Sequence, residues 1–261
     1  MIVDVSTFVG GYPYRHLQDA SPAWLLSEMD RVGITEAWVG HLPSFLHRDP
    51  ARGSAWLVDA LERHDRLRPV PTIHPGLPGW NRDLELAVQV GAPAVRVYPM
   101  HQGLDPAGRG GGEAMKEAVA AAAVAHMPML LTVRFEDLRQ RHSLDAVPDL
   151  PASAVRSLAR IDDRSRILVT HAGRGFIEEV HFGLTPKEAR RVLWDITWLW
   201  GPPDNELEAL VQSVGAERFA FGTAMPLRIP DAAPAKLDLA GLSPEDRAGI
   251  ECANIERWLA P

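Results

Sequence analysis

The chain has 261 residues, a formal net charge of −7 and a single cysteine, Cys252. The acidic balance argues against nucleic acid as a partner, and a lone cysteine leaves no intrachain disulfide, which suits a reducing cytoplasm. No apolar run is long enough to span a bilayer, and the opening MIVDVSTFVGG lacks the basic region of a secretory leader. In chain order, residues 2–8 (IVDVSTF) read as a strand broken by Gly10 and Gly11. Ser21-Pro22 opens a helix, a cap followed by proline at the first helical position, and Gly33 ends it. Residues 35–40 (TEAWVG) form the second strand, followed at once by His41; a helix covers 51–64. Residues 69–73 form the third strand, ending at His74-Pro75, and Asn81 caps a helix that stops near Gly91. The fourth strand is 94–98 (AVRVY). Residues 100–112, with Gly108, Gly110, Gly111 and Gly112, read as a loop flexible enough to act as a lid over a site.

The alanine-rich helix at 118–127 comes next, then the fifth strand at 129–134. Residues 135–151 read as an insertion with a short helix, and a further helix leads to Asp163. The stretch RILVTHAG supplies the sixth strand, 167–170, too short for a helix and delivering His171 at its end. Helices follow at 175–182 and from Thr185-Pro186, and the seventh strand is 192–197. Asp204 or Asn205 caps the helix ending near Gly215; the eighth strand is 218–223, and Ser243-Pro244-Glu245 starts a terminal helix reaching Trp258-Leu259. Eight strands alternating with helices, at a spacing of roughly thirty residues, predict one (β/α)8 barrel of parallel strands over 1–261.

In such a barrel the site lies at the C-terminal ends of the strands, where every second side chain points inward. Parity read back from each strand end places Asp4, Ser6, Phe8, His41, His74, Arg96, Tyr98, Thr132, Arg134, His171, Asp195 and Thr197 at the mouth, with Ala224 from the eighth strand. Each also has a plainer role: His74 closing a turn before Pro75, His41 in a loop, and Arg96 or Arg134 in a buried pair with Asp195. Trp194, Trp198 and Trp200 share one strand face and read as helix-packing core. The glycines at 108–112 lack the spacing and context of a phosphate-binding loop.

IVDVSTFVG at the start, HPG after strand three, VRVYPMHQGL on strand four, THAG on strand six, RFAFGTAMP on strand eight and the terminal ANIERWLA occur in one order. Together they resemble the amidohydrolase superfamily, in particular its amidohydrolase-related (amidohydrolase 2) branch. The resemblance implies a (β/α)8 barrel, usually with a divalent metal performing hydrolysis or decarboxylation. It also implies two strand-one histidines where Ser6 and Phe8 stand, a strand-five histidine where Thr132 stands and a strand-eight aspartate where Ala224 stands. Only His171 matches. A zinc site takes about three protein ligands, so the metal is not carried over and no cofactor is expected.

The leading expectation is a metal-independent hydrolase, or a lyase or decarboxylase, of a small anionic substrate such as a lactone or activated ester. His171, Asp195 and His74 are the catalytic candidates, with His171 as general base to water and Asp195 orienting it. Arg96, Arg134, Tyr98, His41, Ser6 and Thr132 are the substrate-binding candidates, the arginines holding a carboxylate or a developing oxyanion. The alternative is a non-catalytic descendant that binds a small molecule in the old pocket; a collapsed or apolar pocket favours it, and an open one exposing His171 favours the enzyme. A metal site rebuilt from His41, His74, His101 and His171 ranks last. Neither nucleic acid nor membrane is expected as a partner, and self-association is left open.

Overall fold

The computed structural model describes residues 1–17, 19–106 and 108–260. Strand β1 (Val3–Val9) is buried along its whole length, as a strand covered on both faces must be. It pairs in parallel with β2 (Glu36–His41), and β2 with β3 (Leu67–Pro69). A second parallel run joins β4 (Val95–Val97), β5 (Met129–Thr132), β6 (Ile167–Thr170), β7 (Val192–Asp195) and β8 (Phe219–Ala220). Two seams close the ring. At one, Arg96 N–H donates to the Pro71 carbonyl at 2.8 Å and Ile73 N–H to the Arg96 carbonyl at 3.0 Å. At the other, Val5 N–H donates to Phe221 O at 3.0 Å and Ala224 N–H to Ser6 O at 2.7 Å. The result is the eight-stranded parallel α/β barrel that the alternation predicts.

Helices cover the outside: α1 (Pro22–Val32), α2 (Ala51–Leu61), α3 (Asn81–Gln89), α4 (Arg109–Val124), α5 (Ala152–Ala159), α6 (Arg174–Phe182), α7 (Pro186–Ala189), α8 (Glu206–Val214), α9 (Ala232–Leu239), α10 (Pro244–Ala248) and α11 (Asn254–Leu259). Local chemistry sets their ends. Ser21 Oγ accepts Trp24 N–H at the start of α1, and Gly33, at φ 79°, closes it in the left-handed region. Thr185 and Glu188 form a reciprocal capping box on α7.

Four expectations change. Gly110, Gly111 and Gly112 belong to the first turns of α4, not to a lid loop; a Cβ on Gly111 would stand 2.6 Å from Asp105 O. Ala107, inside that expected lid, lies outside the described residues. Residues 136–151 form turns without a helix, and Trp80, not Asn81, caps α3. The terminal helix is interrupted by a π segment, Gly249–Ala253, and α9 precedes it. No helix among the described residues is long and apolar enough to cross a membrane.

The barrel interior is layered. At the bottom, Val5, Trp38, Val70, Ala94, Leu130, Leu168, Leu193 and Ala220 form an apolar layer, floored by Cys252 and Ile255. The π segment anchors that floor: Ile250 O accepts Phe221 N–H at 2.8 Å, and Asn254 Nδ2 donates to Ala216 O and Phe219 O at 2.8 and 2.9 Å. Two residues further along each strand the inward positions turn polar, with Thr72, Arg96, Thr132, Thr170 and Asp195, all buried.

Candidate functional site

His171 follows directly on β6 and sits in the left-handed region at φ 61°, a costly conformation for a residue with a Cβ. Its backbone N–H donates to Asp195 Oδ1 at 2.9 Å. Its ring Nδ1 lies 2.7 Å from the Arg134 carbonyl oxygen. A carbonyl only accepts, so Nδ1 carries the proton and Nε2 turns its lone pair to Ser6 Oγ at 3.3 Å. Burial, with the Arg96 charge adding to it, holds the imidazole well below the usual histidine range. The ring is therefore neutral, with its basic nitrogen on the inner side.

Arg96 reaches into the middle of the barrel and is 0% exposed. Its guanidinium lies 4.5 Å from the centre of the Phe8 ring, and Nη1 is 3.5 Å from Thr132 Oγ1. Nε and Nη2 make no well-aligned hydrogen bond among the described residues, and the Tyr98 hydroxyl is the polar group that engages the guanidinium most closely. β2 contributes Gly40 where the arginine passes: a Cβ there would meet Phe8 at 3.2 Å and Arg96 Nε at 3.5 Å. Two buried carboxyls share this layer. Asp195 Oδ2 accepts the Thr197 hydroxyl at 2.6 Å. Asp4 accepts the Thr223 hydroxyl at 2.6 Å and the Ser6 and Thr223 N–H groups at 3.0 and 3.2 Å. Burial pushes Asp4 up to about 7 and raises Asp195 also, each against its own hydrogen bonds.

The expected buried pair of Asp195 with Arg96 or Arg134 does not form. Asp195 spends its oxygens on Thr197 and the His171 amide, and Arg134 Nε turns away to Asp149 at 3.0 Å. Asp195 thus positions the backbone of His171, while the Arg134 carbonyl positions its ring. Thr132 Oγ1 lies 3.1 Å from Thr170 Oγ1, in the wall beside Arg96, and Tyr98 is buried above it.

An aromatic layer closes the mouth. Phe135, directly after Arg134, sits 4.4 Å from Phe45, 5.3 Å from Tyr98, 6.0 Å from Phe8 and 6.0 Å from His171 between ring centres. Tyr12, Leu42 and Leu227 complete the layer. His101 joins it edge-on to Phe45 at 5.0 Å while its Nε2 lies 3.3 Å from Asp145. The mouth is collapsed and His171 is covered, the arrangement that favours the non-catalytic binder over the enzyme.

The other two histidines lie elsewhere. His41 is 2.8 Å from Ser44 Oγ and packs on Trp56 at 4.9 Å, because Gly40 and not His41 takes the inward position; burial lowers its pKa to about 4. His74 Nδ1 accepts Gly76 N–H at 3.2 Å and closes a turn. A divalent metal fits this mouth poorly: the implied ligand positions hold Ser6, Phe8, Thr132 and Ala224, with a guanidinium alongside. Among the described residues no three His, Cys, Asp or Glu side chains gather as a metal would need. Parity along the first strand points to Asp4, whereas nothing in the sequence pattern marks Phe135, Arg228 or Lys236.

No protein-family model and no curated protein matches the chain. Solved structures do. A dihydroxybenzoic acid decarboxylase from Polaromonas, with bound manganese and 2-nitroresorcinol, superimposes at a TM-score of 0.70 and 15% identity, over 99% of this chain and 96% of that one. A probable 2-pyrone-4,6-dicarboxylic acid hydrolase from Acinetobacter baumannii, with bound citric acid, gives 0.69 and 12% over 99% and 98%. An amidohydrolase from Burkholderia multivorans, with bound HEPES, gives 0.69 and 14% over 100% of both chains. At these identities the likeness shows the fold, the same barrel that the sequence motifs resemble.

Proposed function

We propose that the barrel mouth is a metal-independent site for a small anionic substrate, acting as a hydrolase or as a lyase of the decarboxylase kind when the aromatic layer over His171 opens. The observation that carries this reading is Arg96: a fully buried guanidinium with no carboxylate in ion-pair contact, engaged only by the Tyr98 and Thr132 hydroxyls, beside a neutral imidazole. Leaving such a charge unpaired is costly, and a substrate carboxylate would satisfy it in a bidentate pair. His171 Nε2 would take the proton of an attacking water held with Ser6 Oγ, its ring fixed by the Arg134 carbonyl. The fixed positive charge of Arg96 would stabilise negative charge developing at the substrate. The anionic ligands in the related barrels, citric acid among them, are in keeping with this reading.

A second reading is favoured by the aromatic layer. With Phe135, Phe45 and Tyr98 packed over His171, the chain would be a non-catalytic binder of the same class of molecule.

The test is a panel of aryl esters, lactones and aromatic carboxylates, presented to protein stripped of metal by chelation. Product formation and thermal shift are both read. Turnover is expected, with His171→Ala lowering kcat by about 100-fold or more. Thermal stabilisation without turnover would establish the binder, and turnover that appears only on adding a divalent metal would refute metal independence.

A further inference from the structure

Between the ends of β7 and β8 and helix α9 lies a cavity of about 280 Å³, at the small end of ligand pockets. Thr197 and Thr223 form part of its lining, and both hydroxyls are already committed inward, to Asp195 and Asp4. Trp198 and Trp200 provide aromatic surface. Helix α9 contributes Ala232 and Ala235, small side chains that leave room. Two cations complete the lining. Arg228, half-buried, lies with its guanidinium 3.8 Å from the centre of the Trp198 ring. Among the described residues it has no ion pair and no hydrogen bond to its guanidinium, only the distant charges of Glu136, Asp195 and others. Lys236 donates from Nζ to Ile196 O at 2.9 Å and Thr197 O at 2.7 Å, neutral acceptors that leave one N–H free, while Asp195 and Glu206 act on its charge without an ion-pair contact. Two positive charges held against each other and against apolar walls, with no carboxylate within ion-pair distance, are the makings of an anion receptor.

We propose that this cavity is a binding site for a small aromatic carboxylate, its ring against Trp198 and Trp200 and its carboxylate held by Arg228 and Lys236. None of His171, Ser6 and Arg96 lines the cavity, which sets it apart from the mouth, although the Arg228 charge reaches the His171 ring. The same walls explain why one ring is the right size, since the volume is too small for an extended ligand and the lining too apolar for a bare phosphate. Burial and the Arg228 charge also bring the Lys236 ammonium down to about 8. The groups facing it are Arg228 from the loop after β8, Asp195 from β7 and Glu206 from α8, so its own charge is the one lost between pH 7 and 9.5.

Benzoate is the probe, titrated into the intact protein with tryptophan fluorescence and thermal shift as readouts, against inorganic phosphate and neutral benzamide. Saturable benzoate binding is expected, weakened about tenfold or more by Arg228→Gln and by Lys236→Met, and by a similar factor in the wild type between pH 7 and 9.5. His171→Ala and Arg96→Met should leave the benzoate Kd within about twofold, which separates this site from the proposed one at the mouth. Arg228→Lys and Lys236→Arg, which keep the charge, serve if the first pair folds poorly, and should retain measurable binding. Benzoate affinity unchanged by Arg228→Gln, by Lys236→Met and by pH would overturn the proposal. So would phosphate or benzamide binding as tightly as benzoate, or loss of benzoate binding in His171→Ala.

Discussion

Replacing Phe135 by alanine tests whether the aromatic layer is what closes the barrel. The ring is 2% exposed and contacts Phe8, Tyr12, Phe45, Tyr98, His101 and His171 at 4.4–6.4 Å between centres. A buried Phe→Ala change costs about 3–5 kcal/mol, and the number of ring partners here puts the expectation near the top, at about 4 kcal/mol. For a chain of this size that is a fall in Tm of about 10 °C. Phe135→Leu, which keeps most of the volume, should cost about 1.5 kcal/mol or less. Urea unfolding gives the energies, provided the slope m is unchanged. The second readout is the His171 ring followed by NMR across pH. Burial is the main cause of its lowered pKa, so water admitted by the missing ring must move the titration upward. A loss below about 1 kcal/mol together with an unmoved His171 titration would refute the account of the mouth as a packed seal.

Asp4 gives a pH signature. Its folded value, about 7, lies above its unfolded value, so its contribution to stability is complete below about pH 4 and is lost as pH rises through 7. The interval corresponds to a ceiling of about 4 kcal/mol, and Asp4→Asn should flatten the wild-type fall in urea midpoint between pH 5 and 8. Arg96→Met removes a buried cation that acts on both Asp195 and Asp4, so both carboxyls rise further and the variant should lose stability with rising pH more steeply than wild type; parallel curves would count against that electrostatic coupling. His74→Ala should shift stability by no more than about 0.5 kcal/mol and leave ligand binding at the mouth unchanged, because His74 serves a turn; a large loss of binding would return it to the site.

The barrel was legible because a strand buried on both faces must be an apolar run, and eight such runs recur between helix signals. Period-two alternation also placed Arg96, Thr132 and Asp195 in the polar layer; on β6 Thr170 takes the inward place, and His171 turns to the site through its left-handed backbone. It failed at His41 by one residue: β2 runs on to that histidine, and Gly40, which clears a path for Arg96, takes the inward place. Partnerships were less legible than positions. Asp195 is satisfied by a backbone N–H and a neighbouring threonine, and Arg134 by Asp149 in a segment of turns, neither of which any periodicity announces. Helix α9 was hidden by Pro234, which reads as a breaker; it stands in the first turn, where the missing N–H is one the helix leaves unpaired anyway. The aromatic closure of the mouth needs Phe8, Phe45 and Phe135 from three separate loops and strands, a meeting that only the folded chain displays.

The floor of the barrel has a consequence for how the protein is made. Residues 249–259 close the bottom layer with Cys252 and Ile255, cap it with the Asn254 amide and lay Trp258 and Leu259 against it. They emerge from the ribosome after all eight strands. Until they arrive, Trp38, Leu130, Leu168 and Leu193 have no cover at the open end, and the two seams must hold with that end wet. The nascent chain therefore exposes these apolar side chains from β2 onward and, once β8 is made, as a whole ring, a surface of the kind that chaperones hold until residues 249–259 cover it.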